Sequence, residues 1–207
     1  ASVSGLGDVY KRQLVITARE VASLEEPRRQ LESYGSTVEV VALDLQHEES
    51  IHAAVETATA NGPIDILLNN AGCNIRKPAL DVQWEDWNTI LDTNLRGMFF
   101  MTQRVAQSMV TRQRGRVINI GSVTSVFGYA GLGPYCASRG GVKQLTMSMA
   151  DEFGPHGITV NCLAPGWFRT AQNDVLYQDK EWLEYLVDRI PLRRPGKAED
   201  LDGAVVF

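Results

Sequence analysis

Arg116-Val117-Ile118-Asn119-Ile120-Gly121-Ser122 reads as a buried strand rich in β-branched residues that ends on a glycine and a hydroxyl. Open parallel sheets place their ligands at the carboxyl ends of the strands, so a hydroxyl at Ser122 is usable. Downstream, Pro134 can open a helix, because a proline in the first turn sacrifices no internal hydrogen bond. That helix is expected to run from Tyr135 to Phe153 and to stop at Gly154-Pro155. Tyr135 and Arg139 then stand at i and i+4 on one face. A nearby cation favours phenolate over phenol, which makes Tyr135 a candidate general acid/base. A loop returning from the strand end to the helix start would bring its hydroxyl and that of Ser122 onto one substrate oxygen. Taken singly, a serine after a strand and a tyrosine on a helix are ordinary packed or solvated side chains; the combination points to chemistry.

Working outward, strand and helix patterns alternate, as in an α/β domain. Leu14 to Thr17 is a strand followed by Ala18-Arg19. Ser23-Leu24-Glu25-Glu26 fits a capping box for a helix with Pro27 early and Gly35 as its stop. Thr37 to Leu43 is the next strand, closed by Asp44-Leu45, and Asp44 is also a candidate cap for a helix from Glu48 to Ala60. Ile64 to Leu68 is a buried strand running into Asn69-Asn70-Ala71-Gly72. A long helix from Trp84 to Arg112 contains Asn94, an amide that competes with backbone hydrogen bonds in a helix interior. The strand Thr159 to Ala164 leads into Pro165-Gly166-Trp167-Phe168-Arg169-Thr170. Residues 171–190 are aromatic-rich and mixed in charge, with Trp182 and Tyr185 three apart, and a last helix opens near Ala198.

Composition bounds the function classes. The 207 residues fit one domain, and 44% apolar residues can build a core. A net charge of −5, with only the short pairs Arg28-Arg29 and Arg193-Arg194, argues against a nucleic-acid surface. Cys73, Cys136 and Cys162 are odd in number and lack metal-ligand spacing, so no metal is assigned and the thiols are expected to be reduced. The sequence has no run of 18 apolar residues and no charged-then-apolar leader. The expectation is a cytoplasmic protein with no membrane partner.

The segment around Ser122 and Tyr135 resembles the active-site region of the short-chain dehydrogenase/reductase family, whose signature is Tyr-x-x-x-Lys preceded by that serine. Here the motif reads Tyr135-Cys136-Ala137-Ser138-Arg139, with arginine in the lysine position. Arginine keeps the charge as a larger planar fork. Asn69-Asn70-Ala71-Gly72 and Pro165-Gly166 match further family motifs, and the resemblance covers residues 14–207. It implies a doubly wound, Rossmann-type parallel sheet in three layers, α/β/α, lacking the first strand with its glycine-rich loop and also the last strand. Gly5-Leu6-Gly7 does not supply that loop. Only six residues separate Gly7 from Leu14, whereas a parallel crossover needs about ten to twelve. Residues 1–13 are therefore expected to be foreign to the family.

The resemblance also assigns roles. Tyr135 would give the proton, Ser122 would hold the substrate oxygen, and Asn94, through a water on its main chain, would complete a relay with Arg139. Arg19, Asp44, Leu45, Asn70, Ala71, Gly72, Tyr135, Arg139, Pro165, Gly166 and Thr170 would contact a nicotinamide cofactor. Arg19 stands where a carboxylate would select NAD, so NADP(H) is favoured over NAD(H). Residues 171–190 would form a lid over a small carbonyl or alcohol substrate. A homotetramer or homodimer is implied, through the two long helices. Through Pro165-Gly166-Trp167-Phe168-Arg169-Thr170-Ala171 and the lid, the chain resembles the sugar-acid dehydrogenases of the family, of the gluconate 5-dehydrogenase kind, which implies a sugar-acid substrate. A 3-oxoacyl-carrier-protein reductase and a non-catalytic relative marked by Arg139 stand as alternatives.

Overall fold

The computed structural model describes residues 13–170 and 173–206. The expected foreign segment lies outside the described residues except for Gln13, and Ala171 and Gln172 of the lid also lie outside them. β1 (Gln13–Ala18) pairs in parallel with β2 (Thr37–Ala42) through the crossover helix α1 (Glu25–Ser33). β3 (Ile66–Asn69), β4 (Gly115–Ile120) and β5 (Ile158–Leu163) form a second parallel sheet in that order. Leu67 lies beside Val117, and Val117 beside Val160. Among the described residues, no strand joins the two sheets.

The core follows from helical periodicity. α2 (Glu48–Thr59) buries Ile51, Ala54, Val55 and Ala58 in one stripe. α4 (Met98–Arg112) buries Met98, Met101, Val105 and Met109, and α5 (Gly133–Phe153) buries Val142, Thr146 and Met149. These stripes meet Leu67, Val117, Ile158 and Val160 in one cluster. Strand alternation turns the intervening side chains to the opposite face, where Ile66 and Leu68 stay 50% and 48% exposed. No helix among the described residues is long and apolar enough to cross a membrane.

Three local expectations need correction. The capping box at Ser23 does not form. A 3-10 turn, Val21–Leu24, precedes α1, and the Ser23 hydroxyl donates back to the Glu20 carbonyl at 2.6 Å. Asp44 does not cap α2, whose N-cap is His47; its carboxylate instead accepts from the Gln46 N–H two residues on, at 3.0 Å, closing an Asx turn. The helix expected from Trp84 to Arg112 is continuous in path but not in type. α3 (Trp84–Leu91) passes through a π-helical turn, Asp92–Gly97, before α4 begins. Such wide turns recur at functional sites, and Asn94 sits in this one.

Candidate active site

β4 delivers its carboxyl end in register with β5: the Gly121 N–H donates to the Leu163 carbonyl at 2.7 Å. A side chain on Gly121 would meet Cys162 Sγ at 2.7 Å and Ser125 Oγ at 2.9 Å, so this close approach requires glycine. Burial beneath it pushes the Cys162 thiol pKa up. Ser122 then caps a short 3-10 turn, Val123–Ser125. Its Oγ accepts from the Thr124 N–H at 3.1 Å and leaves the hydroxyl proton uncommitted. The Val123 N–H donates to the Pro165 carbonyl at 3.0 Å, which ties the loop after β5 to this turn.

α5 begins at Gly133 with Pro134 in its first turn and carries Tyr135 and Arg139. Arg139 is 6% exposed. Its Nη1 donates to the Ile120 carbonyl at 2.7 Å, and its Cζ lies 5.0 Å from the centroid of the Tyr135 ring. Nε is buried and has no partner among the described residues. Nη2 occupies the space that a side chain at Gly72 would fill; an added Cβ there would also lie 3.3 Å from Arg139 Cζ and 3.2 Å from Asn94 Oδ1.

Asn94, 1% exposed, grips the loop after β3. Its Oδ1 accepts from the Cys73 N–H at 2.8 Å, and its Nδ2 donates to the Cys73 carbonyl at 2.9 Å and to Ser138 Oγ at 3.1 Å. The Ser138 hydroxyl donates to the Tyr135 carbonyl at 2.8 Å. Gly72, Asn94, Tyr135 and Arg139 are thus one connected unit, with the Ser122 loop reached through Ile120. These bonds are made by the Asn94 side chain from within the π turn, beside the main-chain role that the resemblance assigns to it. One amide of the Asn69-Asn70 pair braces the strands: Asn69 Nδ2 donates to Asn119 Oδ1 and to Thr102 Oγ1, each at 2.8 Å.

The remaining candidates stand apart from this unit. Arg19 is exposed just past β1 with no carboxylate partner among the described residues. Asp44 and Leu45 follow β2, where the Leu45 carbonyl backs onto Gly97 and would collide with any side chain there. Asn70 and Ala71 are exposed. Pro165 is half-buried, and Gly166 meets only Val123 Cγ1, at 3.8 Å from an added Cβ. Thr170 is exposed, and its N–H donates to Asn173 Oδ1 at 2.7 Å.

Sequence reasoning missed two features. Within the 171–190 segment lie α6 (Asp174–Gln178) and α7 (Lys180–Arg189). The exposed ring of Tyr185 lies under Arg189, whose Cζ is 3.5 Å from its centroid, while Trp182 faces elsewhere. Trp182 belongs to a row of edge-to-face rings: Tyr129 to Trp167 at 5.4 Å, Trp167 to Trp182 at 5.6 Å, and Trp182 to Tyr177 at 5.4 Å. Beyond that row, Arg76 sets its Cζ 5.3 Å from the Tyr129 ring. Of the cations in these loops, Lys77 is paired with Asp86 at 2.6 Å and Arg169 with Asp174 at 2.5 Å, whereas Arg76 has no carboxylate partner among the described residues. The only signal for Arg76 was its position four residues past Gly72.

Parallel strands joined by crossover helices, with Ser122 at the carboxyl end of β4 and Tyr135 and Arg139 on the helix that follows, place the chain in the class of Rossmann-type α/β domains. Residues 10–181 match the short chain dehydrogenase family, and the chain belongs to that family. It is 37% identical over 199 residues to gluconate 5-dehydrogenase of Gluconobacter oxydans, covering 96% of this chain and 78% of that protein. It is also 37% identical over 205 residues to 5-keto-D-gluconate 5-reductase of Escherichia coli, covering 99% of this chain and 80% of that one. The crystal structure of a gluconate 5-dehydrogenase from Burkholderia cenocepacia in complex with NADP and tartrate superposes with a TM-score of 0.88 at 34% identity, covering 93% of this chain and 76% of that one.

Proposed function

We propose that the protein is an NADP(H)-dependent oxidoreductase that interconverts an alcohol and a ketone on a sugar acid. The observation that carries this reading is the position of Arg139, which is bonded to the end of β4 just before Ser122 and lies over the ring of Tyr135. One cation is thereby tied both to the strand that leads into Ser122 and to the ring of Tyr135. Tyr135 gives its proton to the oxygen of the carbonyl being reduced and takes it back in oxidation. Ser122, already accepting from Thr124, donates its free proton to the same oxygen. Asn94 and Ser138 hold the first turns of α5 against the Cys73 loop, which fixes where Tyr135 stands.

A nicotinamide cofactor, when bound, supplies or takes the hydride. The residues present fit it. The buried Nε of Arg139 is an unfilled donor, and Gly166 leaves open space beside Pro165. Asn70, Ala71 and Gly72 bring backbone to the end of β3, Asp44 and Leu45 follow β2, and Thr170 lies exposed in the loop after β5. Exposed Arg19 favours NADP, since a guanidinium pairs with a 2′-phosphate. Arg76 supports an anionic substrate, being a cation among the cleft loops that no carboxylate neutralises. The relatives named for gluconate and 5-keto-D-gluconate support the sugar acid. The working form is a homotetramer or homodimer built on α4 and α5, between which a groove lined by Phe99, Ala106, Val110, Met149 and Phe153 lies open.

The test is NADPH oxidation followed by absorbance with 5-keto-D-gluconate and, separately, with a 3-oxoacyl thioester. Turnover of the keto acid is expected. NADPH binding without turnover of any carbonyl would favour a non-catalytic relative, a reading that Arg139 in the lysine position keeps in play. Turnover of the thioester alone would move the assignment to the reductases of acyl chains.

A further inference from the structure

The row of rings ends on a buried polar atom. Tyr177 is 8% exposed, and its hydroxyl oxygen is buried without a partner among the described residues. A phenylalanine would stack on Trp182 equally well and would bury no oxygen. Leaving a buried hydroxyl unsatisfied is destabilising, so a group that reaches it recovers that loss.

The row links the segment that carries this hydroxyl to the loop between the two candidate catalytic residues. Tyr129 belongs to the loop between Ser122 and Tyr135. Trp167 follows the Pro165-Gly166 pair, and Trp182 and Tyr177 come from the two helices above. Rings packed edge to face in such a row make an apolar flank along which a carbon chain can lie, and a hydroxyl at its end offers a hydrogen bond to an oxygen on that chain. Burial pushes the Tyr177 phenol pKa up, with Arg169 nearby acting in the opposite sense, so the group keeps its proton and remains a donor at neutral pH. The segment that carries it is tied down by the Arg169–Asp174 pair and by Asn173, whose Nδ2 donates to the Phe168 carbonyl at 2.8 Å.

We propose that Tyr177 is a specificity-determining residue whose hydroxyl donates a hydrogen bond to a hydroxyl oxygen on the substrate, remote from the reacting carbon, when the substrate lies under α6 and α7. This rests on the sugar-acid reading above. It selects polyhydroxylated ketones over bare ones of similar reactivity and leaves the chemical step alone.

The test compares wild type with Tyr177→Phe on 5-keto-D-gluconate, on its analogues lacking one distal hydroxyl, and on a small ketone without hydroxyls. In wild type, one deoxy analogue should lose about tenfold in kcat/KM, mainly through KM. Tyr177→Phe should lose the same factor on the parent substrate, show no further loss with that analogue, and turn over the small ketone as wild type does. Equal loss on every substrate would mean a structural role and overturn the proposal, as would no loss on any. If wild type turns over the small ketone but no hydroxylated acid, the sugar-acid reading itself fails, and this proposal with it.

Discussion

Arg139 sets its Cζ 5.0 Å from the centroid of the Tyr135 ring, over the ring face, while its Nη1 is held by the Ile120 carbonyl at 2.7 Å. The charge is therefore aimed at the π cloud rather than held as a compact ammonium with free donors. Arg139→Lys is expected to raise kcat, because an ammonium has rotatable donors for the relay and a smaller body. The gain should vanish in a Tyr135→Phe background, since the cation acts through the phenol. Steady-state kinetics on the two single variants and the double variant checks this, and acceleration without the phenol would refute it.

Gly72→Ala should be felt at Arg139, whose Nη2 stands in the path of the new methyl group. Overpacking of this kind costs about 1–3 kcal/mol, and here it must shift the guanidinium off Ile120. Activity should fall together with melting temperature. The penalty should shrink when Arg139→Lys is combined with it, because the shorter head vacates that space. Additive losses in the double variant would place the clash elsewhere.

Asn94→Ala should lower stability by about 2 kcal/mol, through the buried N–H and carbonyl of Cys73 that it orphans. For a chain of this size that corresponds to a fall of roughly 4–8 °C in Tm. A melt within a degree of wild type would mean that these bonds are replaced without cost.

The tie between the β5 loop and α6 should be insensitive to pH until acid. The Arg169 guanidinium, followed by Gln178, holds the Asp174 carboxyl below the usual carboxylate range. A depressed folded pKa means the contribution is fully present above the unfolded value near pH 4 and is lost as pH falls through the folded value. The pair is half-exposed, so added salt should weaken it as well. Tryptophan fluorescence of wild type and Asp174→Asn should differ by a constant amount from pH 5 to 8 and converge below pH 4. A difference that changes between pH 6 and 8 would implicate another group.

The sequence disclosed what is local and withheld what is tertiary. The β-branched run before Ser122 and the proline before Tyr135 were legible, because strand burial and first-turn geometry depend on near neighbours. Asn94 was visible as a misplaced amide, yet its bonds to Cys73 and Ser138 join residues 21 and 44 positions away. The π turn that permits them leaves no pattern distinct from an α-helix. The spacing of Trp182 and Tyr185 marked an aromatic segment but could not show that Trp182 meets Trp167 and Tyr177, which come from other elements. Arg76 shows as a solvated cation until the ring beneath it and the paired state of Lys77 and Arg169 are known.

The central claim is that Tyr135 is the proton donor of a hydride-transfer enzyme. The direct measurement is kcat on 5-keto-D-gluconate for Tyr135→Phe, beside its Kd for NADPH. Removing the phenolic oxygen while keeping the ring should cost 10²–10⁴-fold in kcat and leave Kd within about twofold. A variant that keeps kcat within tenfold of wild type would contradict the account.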